Sequence, residues 1–392
     1  MCAARRGTGL ALVAMLVAGG CKPPPPAWPL PVSADSIALR VVVDSTDPET
    51  LVLAGYANWN REQWDSADAR FRHALDYDPR YAPAHLALAL LPFARYPNLE
   101  RDLDRGRAPA SFRDTVQEAY SHYRAAAMFD PLAEFGPPGM PPDTTRPFFL
   151  LGGGPAGMAI MGIVAYQHRN YSLAMSMLEA YRRAVPADSV PGPVLWYLAL
   201  AEGQLGQYVP GVTSLKALLT KSEEMLARDT SHTPVPFLVT NDIRYTLAYF
   251  ETRAGAPADA IQTYEDVLTS DLGYWMAHVR LADLRVRFRQ FDQAVAERER
   301  ALALRPDDDI LIREYAVTLG GAGHLHEADS LLAMVAARNP WDPWTPYYRG
   351  EVAWLLGDRN TSREAYERFL AIAPPRLDSL KADVSLKLEV LK

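Results

Sequence analysis

From about residue 48 onward, apolar and polar positions alternate in amphipathic blocks of helical spacing, broken by short turns rich in Gly, Pro and Asp. The blocks repeat. Prolines 306, 340 and 374 are 34 residues apart and close the segments "FDQAVAERERALALRP", "LHEADSLLAMVAARNP" and "RNTSREAYERFLAIAP". Twelve residues before each proline stands a small residue, at Ala294, Ala328 and Ser362. Five before it stands another small or apolar one, at Ala301, Val335 and Phe369. Gly323 and Gly357 each precede the small residue by five. A constant period of this length predicts stacked helical units rather than an ordinary bundle, which shares amphipathicity but not a repeat of 34.

These marks resemble the tetratricopeptide repeat, in which each 34-residue unit is a pair of antiparallel helices. Small residues let the two helices approach, glycine permits the turn and proline ends the second helix. The same frame recurs upstream. One unit from Pro48 carries Gly55, Ala67, Phe71, Ala74 and Pro79; another from Pro155 carries Gly162, Tyr171, Ala174, Leu178 and Pro186. "LGQY" (205–208) and "AGAPADA" (254–260) mark the turns of two more without a closing proline. A unit near Ala82 is interrupted, its first helix expected to break at Pro92 and Pro97. Its second helix resumes with Ala119, Tyr123, Ala126 and Pro131 in register. The resemblance implies an all-α, right-handed superhelical solenoid of about eight antiparallel pairs over 48–374. Irregular insertions are expected at 92–110 and 131–157, and an amphipathic capping helix over 375–392.

The N-terminus follows a different pattern. Residues 1–20, "MCAARRGTGLALVAMLVAGG", run from a cationic segment through about 14 apolar residues to small ones, the layout of a cleaved secretory signal too short to span a bilayer. Ala18, Gly19 and Gly20 abut Cys21, and the junction resembles a bacterial lipobox, although an aliphatic residue is usual where Ala18 stands. The resemblance implies that Cys21 is lipidated after cleavage; the alternative is an ordinary cleaved signal with a cysteine there by chance. Cleavage also removes Cys2, which leaves no intrachain disulfide. Each buried methylene contributes about 0.8 kcal/mol, so the several acyl chains of such an anchor hold firmly. Lys22 in place of an aspartate leans toward the outer membrane. "KPPPPAWPLPVSAD" then reads as polyproline II, about 3.1 Å per residue, within a tether covering 21–47. "SIALRVVVDS" (36–45) reads as a strand or as chain packed irregularly on the first helices.

Composition adds exclusions. A formal charge of −7 and a pI near 5.7, without basic clusters, argue against nucleic acid. "LLGGGPAGM" lacks the GK[ST] of a phosphate loop, and "ERDLDRG" (100–106) has its glycine misplaced for a calcium loop and no closing glutamate. His324 and His326 are too few for a metal site, and CxxCH, HExxH and GxSxG do not occur. The reading is therefore of no enzyme, no cofactor and no metal.

What a solenoid offers is a binding groove. In the resembled family, the second, fifth, ninth and twelfth positions of each first helix face it. Carried onto this frame, those positions hold Tyr56, Trp59, Tyr166, Trp196, Tyr245, Tyr249, Trp344, Tyr347 and Trp354. Large rings with polar tips suit an extended peptide or a helix with apolar anchors, and they equally suit packing between units. The Lys/Asn pattern of a carboxylate clamp is missing. The expectation is a lipid-anchored interaction scaffold of the bacterial cell envelope, in the outer membrane facing the periplasm, whose partners are envelope proteins. Solute or glycan binding is the alternative, although paired Asp, Asn and Arg are wanting; an enzyme accessory role built on 131–157 is the weaker one.

Overall fold

The structure, a computed structural model, describes residues 30–43, 46–96, 110–140, 154–228 and 239–391. These contain eighteen α-helices and no strand. They are α1 (Ala34–Val43), α2 (Pro48–Trp59), α3 (Trp64–Tyr77), α4 (Ala82–Arg95), α5 (Ala110–Phe129), α6 (Pro155–Gln167), α7 (Tyr171–Ala184), α8 (Gly192–Gln204) and α9 (Tyr208–Arg228). After them come α10 (Thr240–Arg253), α11 (Pro257–Ser270), α12 (Trp275–Arg287), α13 (Phe291–Leu304), α14 (Asp309–Ala322), α15 (Leu325–Arg338), α16 (Trp344–Leu356), α17 (Arg359–Ile372) and α18 (Asp378–Leu391). The chain divides into two compact bodies, Met1–Ala260 and Ile261–Lys392, with the boundary inside α11.

Within each body the helices follow the expected pairing. In the first, α2 packs on α3, α4 on α5, α6 on α7 and α8 on α9; in the second, α12 packs on α13, α14 on α15 and α16 on α17. Second helices then meet the next first helix, as α3 does α4 and α15 does α16. Two local rules produce this. The first is close approach: a Cβ on Gly55 would lie 2.3 Å from the Phe71 ring, one on Gly162 2.5 Å from Leu178, and one on Gly350 2.5 Å from Tyr366. In all three the partner is sixteen residues on, so one missing side chain admits one large one. The second is the turn. Gly323 and Gly357 end α14 and α16 in the left-handed region at φ 91° and 76°. In the same register Glu62, Arg169 and Arg289 take φ of 58°, 62° and 58° without being glycine.

Three expectations change. Residues 34–43 form a helix, not a strand or irregular chain: the Ser33 hydroxyl accepts from the Ser36 N–H at 3.2 Å, and Ile37 is buried against Leu53 and Ala54. Leu30 and Val32 join that cluster, so the chain is already packed from residue 30, short of the tether's expected end at 47. Helix α4 also passes through Pro92 to Arg95. Proline removes one helical donor, but Leu88 and Leu91 are buried beside it and the Tyr96 N–H closes on the Pro92 carbonyl at 2.9 Å. Residues 131–140 are packed, as described below; 97–109 and 141–153, the rest of the two insertions, lie outside the described residues. So do the signal segment, Cys21 and the proline run. At the C-terminus α18 sets Val384 and Leu391 into a cluster with Tyr366 and Phe369. Among the described residues no helix is long and apolar enough to cross a membrane.

Candidate functional site

The nine aromatic positions divide sharply. Tyr56, Trp59, Tyr166, Trp196 and Tyr245 are buried, each at 2% exposure or less. Tyr249 is partly buried, with the Arg253 guanidinium over its ring at 5.3 Å. These six lie in the first body. In the second, Trp344 and Tyr347 are partly exposed and Trp354 is 40% exposed.

Most of the first-body rings are buried because the chain covers its own first-helix face. The Arg124 guanidinium on α5 makes a two-pronged pair with Asp242 at 2.9 and 3.1 Å. One turn along α10, the Tyr245 hydroxyl donates to the Met128 carbonyl at 2.7 Å. Tyr123 packs into the cluster that holds Trp196 and Tyr197, and burial pushes its hydroxyl up to about 12. Downstream of α5 the chain continues along the same face. The Gln204 side-chain amide donates to the Leu132 carbonyl at 2.7 Å, and the Phe135 ring meets Tyr166 edge-on at 6.2 Å. The Tyr56 hydroxyl meets the backbone of Gly136.

Arg169 and Tyr171 then fasten this segment. Arg169 pairs with Glu134 and reaches the Pro137 carbonyl at 3.4 Å, and the Tyr171 hydroxyl donates to Glu134 at 2.8 Å. Residues 123–137 thus lie against these first-helix rings. Four of the rings expected in a groove, Tyr56, Tyr166, Trp196 and Tyr245, face the chain itself. Trp59 is closed off locally, against Tyr56 and Trp64 at 5.8 Å each.

The second body keeps its aromatic face open. Trp344, Tyr347, Glu351 and Trp354 fall at i, i+3, i+7 and i+10 along α16, one stripe of the helix. Asp342 fixes where the stripe begins, accepting from the Trp344 and Thr345 N–H groups at 3.2 Å while pairing with Arg313. Trp344 lies near-parallel to Tyr348 at 6.2 Å, and Tyr347 stands edge-on to Tyr348 at 5.2 Å. Trp341, just before the helix, is 59% exposed. Glu351, mid-stripe, accepts from the Tyr366 hydroxyl at 2.7 Å and pairs with Lys387 of α18 at 2.6 Å. Lys387 lies 5.9 Å from both the Tyr347 and Tyr366 ring centres. Burial raises the Tyr347 hydroxyl above its ordinary range; Glu351 adds to this and Lys387 opposes it.

Reading by register missed Tyr348, one residue after Tyr347, Trp341, three before Trp344, and His85 and His122, which meet across α4 and α5 at 2.8 Å. Their spacing of 37 residues across an insertion carries no motif. Among the described residues no group of three or more His, Cys, Asp or Glu could hold a metal ion.

No protein-family model and no curated protein matches the chain. Solved structures do. A tetratricopeptide repeat protein from Parabacteroides merdae ATCC 43184 aligns at 14% identity over 60% of this chain and 93% of its own, with TM-score 0.48. PilW, a widely conserved type IV pilus biogenesis factor, aligns at 18% identity over 58% and 97%, with TM-score 0.43. Yeast Tom70 aligns at 12% over 86% and 72%, with TM-score 0.39. The paired helices, the left-handed turns in register and the small-to-large contacts sixteen residues apart define an all-α fold of stacked helix pairs of the tetratricopeptide type.

Proposed function

We propose that this protein is a lipid-anchored interaction scaffold of the bacterial cell envelope, held in the outer membrane through Cys21 and facing the periplasm. It takes a protein partner on the aromatic stripe of α16. The observation that carries the docking half is a contrast among the aromatic register positions: those of the first body are mostly covered, whereas on α16 of the second Trp344, Tyr347 and Trp354 line one partly open helix face. Rings with polar tips concentrate binding energy at interfaces. The anchor half rests on the "LVAGGC" junction and the proline run that follows it.

One experiment addresses both. A photo-crosslinking residue introduced at position 354 in intact cells should give one dominant protein adduct, while the same residue at buried position 196 should give none. Adducts absent at 354, together with melting shifted by oligosaccharides, would replace the scaffold reading with solute binding. In parallel, Cys21→Ser should move the protein out of the membrane fraction and abolish lipid labelling; an unchanged membrane pool would defeat the anchor.

A further inference from the structure

On the reading above that α16 takes a protein, the stripe also specifies a chemistry for its partner. Between residues 341 and 354 five rings stand at least partly open: Trp341, Trp344, Tyr347, Tyr348 and Trp354. Three of them form one cluster. Trp344 is near-parallel to Tyr348 at 6.2 Å and edge-on to Tyr347 at 6.3 Å. Trp354 stands apart, two helical turns beyond Tyr347.

The charges around these rings are already matched. Asp342 pairs with Arg313, Asp329 with Arg349 at 3.0 Å, and Glu351 with Lys387 at 2.6 Å; Lys387 also meets Asp383 at 3.1 Å. A neutral partner leaves these pairs intact, whereas a charged one has to compete with them. The polar tips of the rings are in the opposite state. Among the described residues, none of the three indole N–H groups and neither tyrosine hydroxyl has a hydrogen-bond partner. An indole N–H donates and cannot accept. The surface therefore offers ring faces and donors, and it suits a neutral chain that supplies apolar rings and acceptors.

A proline-rich segment is such a chain. Proline has a carbonyl acceptor but no N–H, and its fixed φ holds the segment extended, with little entropy left to lose on docking. Aromatic-lined surfaces take such segments for these reasons. The dimensions agree. Polyproline II completes a turn in about 9.3 Å, and the seven residues from Tyr347 to Trp354 span about 10.5 Å of α16. Successive turns of one segment thus meet the Trp344–Tyr347–Tyr348 cluster and then Trp354. Other ligands match less well. A glycan brings hydroxyls that donate as well as accept, and the carboxylates here are engaged by cations. An amphipathic helix has its carbonyls bonded within itself and leaves the indole donors without acceptors. We infer that the α16 stripe is the docking surface for an uncharged, proline-rich segment of a partner protein. Its rings pack on proline rings, and its indole N–H groups donate to the segment's carbonyls.

Decaproline is the probe. Added to the wild-type mature chain, isotope-labelled at the indole nitrogens, it should shift the N–H resonances of Trp344 and Trp354 in a saturable way. Those of Trp59 and Trp196, buried in the first body, should stay in place. Trp344→Ala and Trp354→Ala should each weaken decaproline binding about 10-fold. Phe288→Ala, which removes a half-exposed ring after α12, should not change it. Resonances unmoved at millimolar decaproline, or moved as far by a glycine–serine decapeptide, would overturn the inference. Stronger shifts from a leucine-anchored amphipathic helix or from oligosaccharides would overturn it in favour of those ligands. Self-association of the mature chain that disappears in the combined Pro24→Ser, Pro25→Ser variant would overturn it in favour of the chain's own proline run. A protein adduct at position 354 without decaproline binding leaves the scaffold reading standing and removes this one; absence of both removes both.

Discussion

At the scale of single residues, two repeat positions show how charge enters a helical core. Glu251 on α10 is buried at 2% exposure and pairs with Lys216 of α9 at 3.1 Å. One repeat earlier Glu202 on α8 is buried at 1%, but the residue in the place of Lys216 is Glu179. Its hydrogen bond is the Ser214 hydroxyl at 2.8 Å. Burial therefore pushes the Glu202 carboxyl up to about 7; Ser214 and Arg182 pull the other way and Glu179 adds to the rise. A carboxyl raised on folding favours the native state at low pH. As pH climbs from about 4.5 the unfolded chain loses this proton first, so that stability drains away until about pH 7. Glu202→Gln keeps a partner for Ser214 and removes the titration. It should gain on the order of 2 kcal/mol more at pH 8 than at pH 5, read from urea unfolding at the two pH values. Repeat six carries the opposite device: Arg298, 6% exposed at its side chain, stands sixteen after Ala282, where other repeats hold Leu or an aromatic, and is paired with Asp283 and Glu314.

At the scale of the helix pair, the turn sets the geometry and its chemistry is uneven. The left-handed position falls on glycine in four repeats, at 206, 255, 323 and 357, and on Glu62, Arg169 or Arg289 in three. A side chain there costs about 1 kcal/mol against glycine. Arg169 has a compensation, since it fastens residues 134–137. Arg289 is exposed and has none of that kind, so Arg289→Gly should raise stability by up to about 1 kcal/mol, measured as an increased urea midpoint with unchanged slope. Arg169→Gly should not stabilise, because the loss of the Glu134 pair outweighs relief at the turn. The three non-glycine turns also explain why a search for glycine finds only part of the repeat array.

At the scale of the molecule, the same helix-pair repeat is used differently in the two bodies. In the first body the aromatic first-helix positions are mostly covered, four of them by residues 123–137; in the second the aromatic stripe of α16 is at the surface. Tryptophans report the difference. Trp59 and Trp196 are 2% and 1% exposed, whereas Trp341 and Trp354 are 59% and 40% exposed. In variants keeping one tryptophan each, acrylamide should quench position 341 or 354 several-fold more efficiently than 59 or 196. Quenching at 196 equal to that at 354 would mean that α5 does not cover Trp196 in solution. The same contrast directs mutagenesis: truncating Trp354 should weaken partner capture with little change in stability, whereas truncating Trp196 should cost several kcal/mol of folding.

The sequence by itself determined the helix pairs, their number and their register. That is because the rules behind them are local: a small residue meets a large one sixteen along, and a turn sits between. Pro92 misled because a proline's cost is local while the burial that offsets it is not, and 36–45 misled because its β-branched run is helical only when Ile37 has α2 to pack on. Which groove positions are open was decided by tertiary structure alone. The contacts that close the first body join Arg124 to Asp242 and Met128 to Tyr245, 118 and 117 residues apart, and they start from an interrupted repeat where the period is lost. Periodicity says where a ring points; only the packed chain says what already lies against it.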